Sequence, residues 1–255
     1  MYKKRRELVR EILNSKPFTA LSELEAAFPD VSSMTLRRDI EYFEKKGDVI
    51  KVRGGARSMK HITLTMDDSF GRRLNENTSV KQKIARCAAQ HIETGRSIFL
   101  DSGTTLLELA SYIPEERLTI TTTGPNIAIE LLKYQSIIVN LVGGMVNRHN
   151  VSVSGALSNE YIDNVNIDIA FISPSGFSLK NGFTSGNWNE CELKKLVVKK
   201  ATKTIVLLDT NKIDKTMPYT FCGLENIHEI ITNERLPREI EEEAKKCGVK
   251  ITVAD

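Results

Sequence analysis

The run Asp101-Ser102-Gly103-Thr104-Thr105 places a carboxylate, three hydroxyls and a glycine directly after the apolar stretch Ser97–Leu100. A glycine lets the backbone approach a ligand closely, and hydroxyls and free N–H groups donate. The helix expected over Leu106–Tyr112 would present its N-terminus to an anion. The chemistry these residues suit is the holding of a phosphate group. Similar sets recur: Thr122-Thr123-Gly124-Pro125-Asn126, Gly143-Gly144, Ser175-Gly176 and Asp209-Thr210-Asn211-Lys212 each follow an apolar stretch. Asp168 opens the stretch that leads to Gly176, and Gly182-Phe183-Thr184 precedes Glu190-Cys191-Glu192-Leu193-Lys194. Any one of these is also what a tight turn from strand to helix needs. Together they suit a polyol phosphate, with Lys194 or Lys212 to meet the phosphate charge.

A second chemistry sits near the start. Ser32-Ser33-Met34-Thr35-Leu36-Arg37-Arg38-Asp39-Ile40 is expected to be a helix opening on a hydroxyl cap, with Leu36, Ile40 and Phe43 as its buried stripe and Gly47 closing it. Ser33, Thr35, Arg37 and Arg38 then lie near the exposed N-terminal end, where a recognition helix touches base edges and phosphates. Lys51-Val52-Arg53-Gly54-Gly55-Ala56-Arg57 is expected to be a wing, with Gly54-Gly55 its tight turn and Lys51, Arg53 and Arg57 its cations. Each charge alone would be ordinary solvated surface. Cap, stripe, closing glycine, wing and charge agree on a winged helix-turn-helix that binds double-stranded DNA.

The elements that must position these groups follow from periodicity. Leu8, Val9, Ile12 and Leu13 suit a first helix, ended by Pro17; Leu21, Leu24 and Phe28 suit a short second one. Residues 1–57 therefore form one domain. Residues 58–80 show no sustained period and are expected to be a linker. From 81 to 255 helical patterns, beginning with Ile84, Ala85, Ala88 and Ile92, alternate with apolar strands. The strands are expected at 97–100, 118–123, 137–142, 167–173, 204–208 and 251–253. That alternation predicts an α/β domain with a largely parallel sheet, whose ligands bind at the strand carboxyl ends.

Composition agrees with this division. The chain has 255 residues, room for one small and one larger domain. Residues 1–60 hold 14 Lys and Arg against 9 Asp and Glu, and the rest hold 22 against 24, so the positive charge sits where a polyanion would need it. Cys87, Cys191, Cys222 and Cys247 are far apart, as are the four histidines, so neither a metal site nor a disulfide framework is expected. No apolar run reaches membrane-spanning length, and a cytoplasmic location is expected. No cofactor is called for.

The residues Val31-Ser32, Thr35-Leu36-Arg37-Arg38-Asp39-Ile40 and Gly54-Gly55-Ala56 resemble the DeoR family of bacterial transcriptional regulators, with Arg53 where that family usually has histidine. The resemblance extends through Asp101–Thr105, Thr122–Gly124 in altered form, Gly143-Gly144, Asp168–Phe171, Gly182–Thr184, Leu193-Lys194 and Asp209–Lys212. It implies a sensor domain like ribose-phosphate isomerase and glucosamine-phosphate deaminase. It further implies a homo-oligomeric repressor of a carbohydrate operon, released from operator DNA by a phosphorylated sugar. The alternative is a sugar-phosphate isomerase or deaminase with an appended DNA-binding head. Against it, Ser175-Gly176-Phe177 stands where the deaminases carry an Asp-Gly-His type loop, and catalytic residues are not expected.

Overall fold

The computed structural model describes residues 2–59 and 70–255, with side chains from Arg5 onward. The chain divides into two compact units, Met1–Leu64 with Asp214–Thr216, and Thr65–Ile213 with Met217–Asp255.

In the first unit, α1 (Tyr2–Asn14), α2 (Leu21–Ala27) and α3 (Ser33–Lys45) pack around Val9, Leu13, Leu24, Leu36, Ile40 and Phe43. Three short strands, β1 (Phe18–Ala20), β2 (Val49–Val52) and β3 (Gly55–Ser58), form a sheet in the order β1-β3-β2. Val52 pairs with Gly55, so the wing turns on Arg53-Gly54 rather than on the expected Gly54-Gly55. Gly54 takes the positive φ of 85° that this two-residue turn requires. Gly55 is needed for another reason: a Cβ there would lie 2.1 Å from the Thr19 carbonyl oxygen of β1. The strand β1 was not expected; three residues between two helices carry no periodic signal.

The second unit is built on a seven-stranded parallel sheet in the order β15-β14-β12-β9-β4-β5-β6. Its strands are β4 (Ser97–Leu100), β5 (Leu118–Thr122), β6 (Ile137–Leu141), β9 (Ile167–Ile172), β12 (Ala201–Leu208), β14 (Glu229–Thr232) and β15 (Lys250–Val253). Alternate residues divide between the two faces. Ile98, Leu100, Ile169, Phe171, Ile205 and Leu207 belong to one core with Ile84 and Ala88 of α5 (Thr78–Ala89), Leu106 of α6 (Thr104–Ala110) and Ile127 of α7 (Pro125–Leu131). Phe99, Ala170, Ile172, Val206 and Leu208 belong to the other, with Ile162 of α8 (Ala156–Asp163), Val197 of α9 (Trp188–Lys200) and Ile240 of α10 (Arg238–Lys246). Two smaller antiparallel sheets complete the unit: the hairpin β7 (Met145–Asn147) with β8 (Ser152–Ser154), and β10 (Gly176–Ser178), β11 (Gly182–Ser185) and β13 (Tyr219–Cys222).

The segment expected as a linker over 58–80 is corrected in part. Residues 60–69 lie outside the described residues, but Ser58 ends β3, Phe70–Asn75 forms a helix, α4, and α5 starts at Thr78. A single six-residue helix without a buried apolar face leaves no period to detect.

Candidate DNA interface and effector site

In the head, Ser32 caps α3 as expected: its Oγ accepts the N–H of Thr35 at 3.3 Å. The same oxygen lies 2.9 Å from the Thr35 hydroxyl, so these two hydroxyls engage each other. Ser33, Arg37, Arg38, Arg53 and Arg57 are exposed. None of the four arginines has an ion-pair partner among the described residues. Lys51 differs, because its Nζ is 2.6 Å from Glu41 Oε1. In the sequence Asp39 stands out only as the end of the Arg37-Arg38-Asp39 run. It is 1% exposed and takes Arg6 Nε at 2.9 Å and Arg5 Nε at 3.0 Å, while the Arg6 guanidinium lies 3.7 Å from the Tyr42 ring centroid. This carboxylate fastens α1 to the back of the recognition helix.

The second site gathers at the carboxyl edge of the large sheet. From β4 the chain proceeds outward through β5 to β6, and β9 then returns on the other side of β4. The crevice between β4 and β9 is thus the switch point where such sheets take ligands. Asp101 follows β4, and Ser173 follows β9. Asp101 Oδ2 accepts the Ser173 N–H at 3.1 Å and lies 2.7 Å from Lys194 Nζ. Lys194 also donates to the Ser173 carbonyl at 2.8 Å, and Lys212 Nζ donates to the Ser173 hydroxyl at 2.8 Å. Ser173 was not singled out from the sequence, since one more serine at a strand end carries no signal.

Beside this cluster Gly103 has φ 118° and begins α6. The hydroxyls of Ser102, Thr104 and Thr105 and the backbone N–H groups of residues 102–105 have no hydrogen-bond partner among the described residues. At the end of β5 the Thr122 hydroxyl accepts the Gly124 N–H at 3.0 Å. The Thr123 hydroxyl and the Asn126 amide are buried without a partner among the described residues. Gly143 and Gly144 have a packing role: the Ser158 hydroxyl donates to the Gly143 carbonyl at 2.6 Å, and a Cβ on Gly144 would lie 2.5 Å from that hydroxyl oxygen.

Other expected residues are already engaged. Glu190, 6% exposed at the start of α9, accepts from Asn147 at 3.0 Å, from Asn150 at 3.0 Å and from Ser152 at 2.5 Å, tying the β7–β8 hairpin to the helix. The Thr184 hydroxyl donates to the Gly176 carbonyl at 3.1 Å and accepts the Met217 N–H at 2.9 Å, so this pair holds the small sheet together. Asp168 does not join the cluster. It stands at the amino end of β9, the opposite edge of a parallel sheet, and accepts the Ser97 N–H at 2.8 Å.

Helix α4 also meets this edge. The Phe70 N–H donates to the His149 carbonyl at 2.8 Å, and Arg73 donates to Asn150 Oδ1 at 3.0 Å. Asn77, just beyond the helix, donates to Asp209 Oδ2 at 3.3 Å. The buried ammonium of Lys81 caps the end of α4 on the carbonyls of Arg73, Leu74 and Glu76. Burial lowers its pKa, opposed by the nearby Asp209 charge.

Two family models match: a DeoR-like helix-turn-helix domain over residues 5–61 and a DeoR C terminal sensor domain over 76–234. The chain belongs to the DeoR family. It is a DNA-binding transcriptional regulator, with the fold expected from its sequence: a helix-turn-helix head and an α/β sensor with a parallel sheet. Among DeoR-family relatives, the HTH-type transcriptional regulator GolR of Listeria innocua is 33% identical over 89% of each chain. The HTH-type transcriptional regulator IolR of Bacillus subtilis is 30% identical over 96% of this chain and 97% of its own. A solved ribose 5-phosphate isomerase of Methanocaldococcus jannaschii aligns with a TM-score of 0.41 at 19% identity, over 54% of this chain and 55% of that one. So slight a likeness does not bear on function. No helix among the described residues is long and apolar enough to cross a membrane.

Proposed function

We propose that this regulator is a repressor of a carbohydrate-utilisation operon that leaves its operator when a phosphorylated sugar binds the sensor. The supporting observation is the turn Ser102–Thr105, whose three hydroxyls and four backbone N–H groups are without a protein partner among the described residues, at the switch point of a parallel sheet. Open donors gathered in one turn are suited to an anion supplied from outside. The sugar hydroxyls then meet the Thr122–Asn126 end of β5 and the Asp209–Lys212 end of β12. Lys194, already matched to Asp101, positions that carboxylate. The protein works by binding rather than by turnover. On DNA, Ser33 and the four arginines of α3 and the wing make the contacts.

A panel of sugar phosphates tests the reading in two assays. A true effector raises the melting temperature of the free protein, because it binds the native state selectively. It also lowers fluorescence anisotropy of a labelled operator complex. A panel in which no compound does either would overturn the effector assignment. Product formation from an effector in a coupled isomerase assay would restore the enzyme alternative.

A further inference from the structure

The β10–β11 hairpin leaves the carboxyl edge at Ser175, whose N–H donates to the Thr184 carbonyl at 2.9 Å, and it turns back at Leu179–Asn181. At this far end a cavity of about 310 Å³ opens between the hairpin turn, the end of β13, the Gly223–Glu225 segment and the end of α10. Such a volume suits a small metabolite. The floor is apolar: Phe177, Cys222 and Leu224 are 0%, 7% and 6% exposed. The mouth is charged. Lys180 comes from the hairpin turn and Glu225 from the segment after β13. Neither has an ion-pair or hydrogen-bond partner among the described residues, and they do not reach each other. Glu243 of α10, a third charge at the mouth, is already paired with Lys246 at 2.8 Å. The Glu225 carboxylate lies folded over Gly223, where a Cβ would collide with it. It is near enough to the Cys222 thiol to add to burial in raising that group's pKa.

We propose that this cavity binds a free apolar α-amino acid as a second ligand of the sensor. The ammonium group meets Glu225, the carboxylate meets Lys180, and the hydrocarbon side chain lies on Phe177, Cys222 and Leu224. A simple amine would leave Lys180 unmatched, and a simple acid would leave Glu225 unmatched. One open charge of each sign above an apolar floor is complementary to a zwitterion with an apolar body. The cavity shares no residue with the Ser102–Thr105 turn, and the assignment stands whether or not a sugar phosphate is the effector.

Isothermal titration calorimetry of the full chain with leucine, methionine and phenylalanine is the test. The controls, 3-methylbutylamine and 4-methylpentanoate, each keep the leucine hydrocarbon and one of its two charges. At least one amino acid is expected to bind, and each control to bind more weakly by roughly tenfold or more. Glu225→Gln and Lys180→Gln alter exposed side chains without protein partners, so an unchanged melting temperature is expected to confirm folding. Each lowers amino-acid affinity by about tenfold or more. The bound amino acid also slows alkylation of Cys247, which lines the cavity, and leaves that of Cys87 on α5 unchanged. No binding of any of the three amino acids at millimolar concentration would overturn the proposal. So would a control that binds as tightly, binding that neither variant weakens, or binding that leaves Cys247 alkylation unchanged.

Discussion

Lys194 Nζ lies 2.7 Å from Asp101 Oδ2, and the two side chains are 5% and 2% exposed. Removing one partner from a buried pair leaves the other charge uncompensated, at a cost of about 3–5 kcal/mol. Lys194→Met is expected to destabilise the sensor by that amount in urea denaturation. Adding Asp101→Asn recovers part of the loss. If the double variant is as unstable as the sum of the two single variants, the pair is not energetically coupled.

Thr104→Val keeps the bulk of a side chain in the Ser102–Thr105 turn but removes its hydroxyl. If that hydroxyl donates to the effector, affinity falls by about 1–3 kcal/mol. The variant still binds operator and needs more effector for release, a super-repressor phenotype. Superimposable release curves for wild type and variant would exclude the Thr104 hydroxyl from the site.

Arg38→Ala and Arg57→Ala remove exposed cations from α3 and from the wing. A residue that contacts only phosphate weakens every sequence alike and lowers the salt dependence by about one ion. Ser33→Ala, at the open end of α3, is expected instead to change base preference. Titrations against salt and against mutated operators separate the two behaviours.

Gly55→Ala drives a methyl group into the Thr19 carbonyl, which stands 2.1 Å from the ideal Cβ position. The expected result is loss of β1–β3 pairing and of operator binding, with the sensor melting transition unchanged. Gly54→Ala meets no neighbour but must adopt φ 85°, and is expected to cost only about 1 kcal/mol. Equal operator affinities for the two variants would contradict this account of the wing.

At the amino edge of the sheet Glu229 is 1% exposed and faces Lys250 at 2.9 Å, Lys203 at 3.2 Å, His91 at 3.4 Å and the Thr252 hydroxyl at 2.7 Å. Burial raises its pKa, but the bonds from Thr252, Lys250 and Lys203 outweigh it and the net shift is downward. A carboxylate with a depressed folded pKa contributes stability above its unfolded pKa and loses it as pH falls through the folded value. Glu229→Gln is therefore expected to cost about 2 kcal/mol at neutral pH. The gap between variant and wild type narrows as pH falls below about 4. A gap independent of pH would show that charge is not its source.

Much of this was legible in the sequence because local chemistry and packing agree. The cap of Ser32 and the stripe of Leu36, Ile40 and Phe43 give α3 its start and its buried face. The strands β4, β5 and β9 appear as apolar runs because both their faces are covered, whereas β6 is apolar although Ile138 and Leu141 are exposed. β14 was missed since its four residues open on Glu229, a buried acid that looks like a loop residue. Asp39 was hidden by its neighbours: beside two exposed arginines, nothing local says that it faces α1. Asp168 was assigned to the wrong edge although its strand was found, because strand direction determines which end meets the ligand. Asn147, Asn150 and Ser152 were passed over because their partner, Glu190, lies some forty residues away.

Helix α4 is bonded to the rest of the sensor through Phe70 to His149, Arg73 to Asn150 and, just beyond the helix, Asn77 to Asp209. A shift of α4 is thus taken up at the rim where the strands end, without having to cross the hydrophobic layers on either face of the sheet. Leverage there requires only that a few polar contacts exchange, a smaller disturbance than repacking a core whose central side chains are wholly buried.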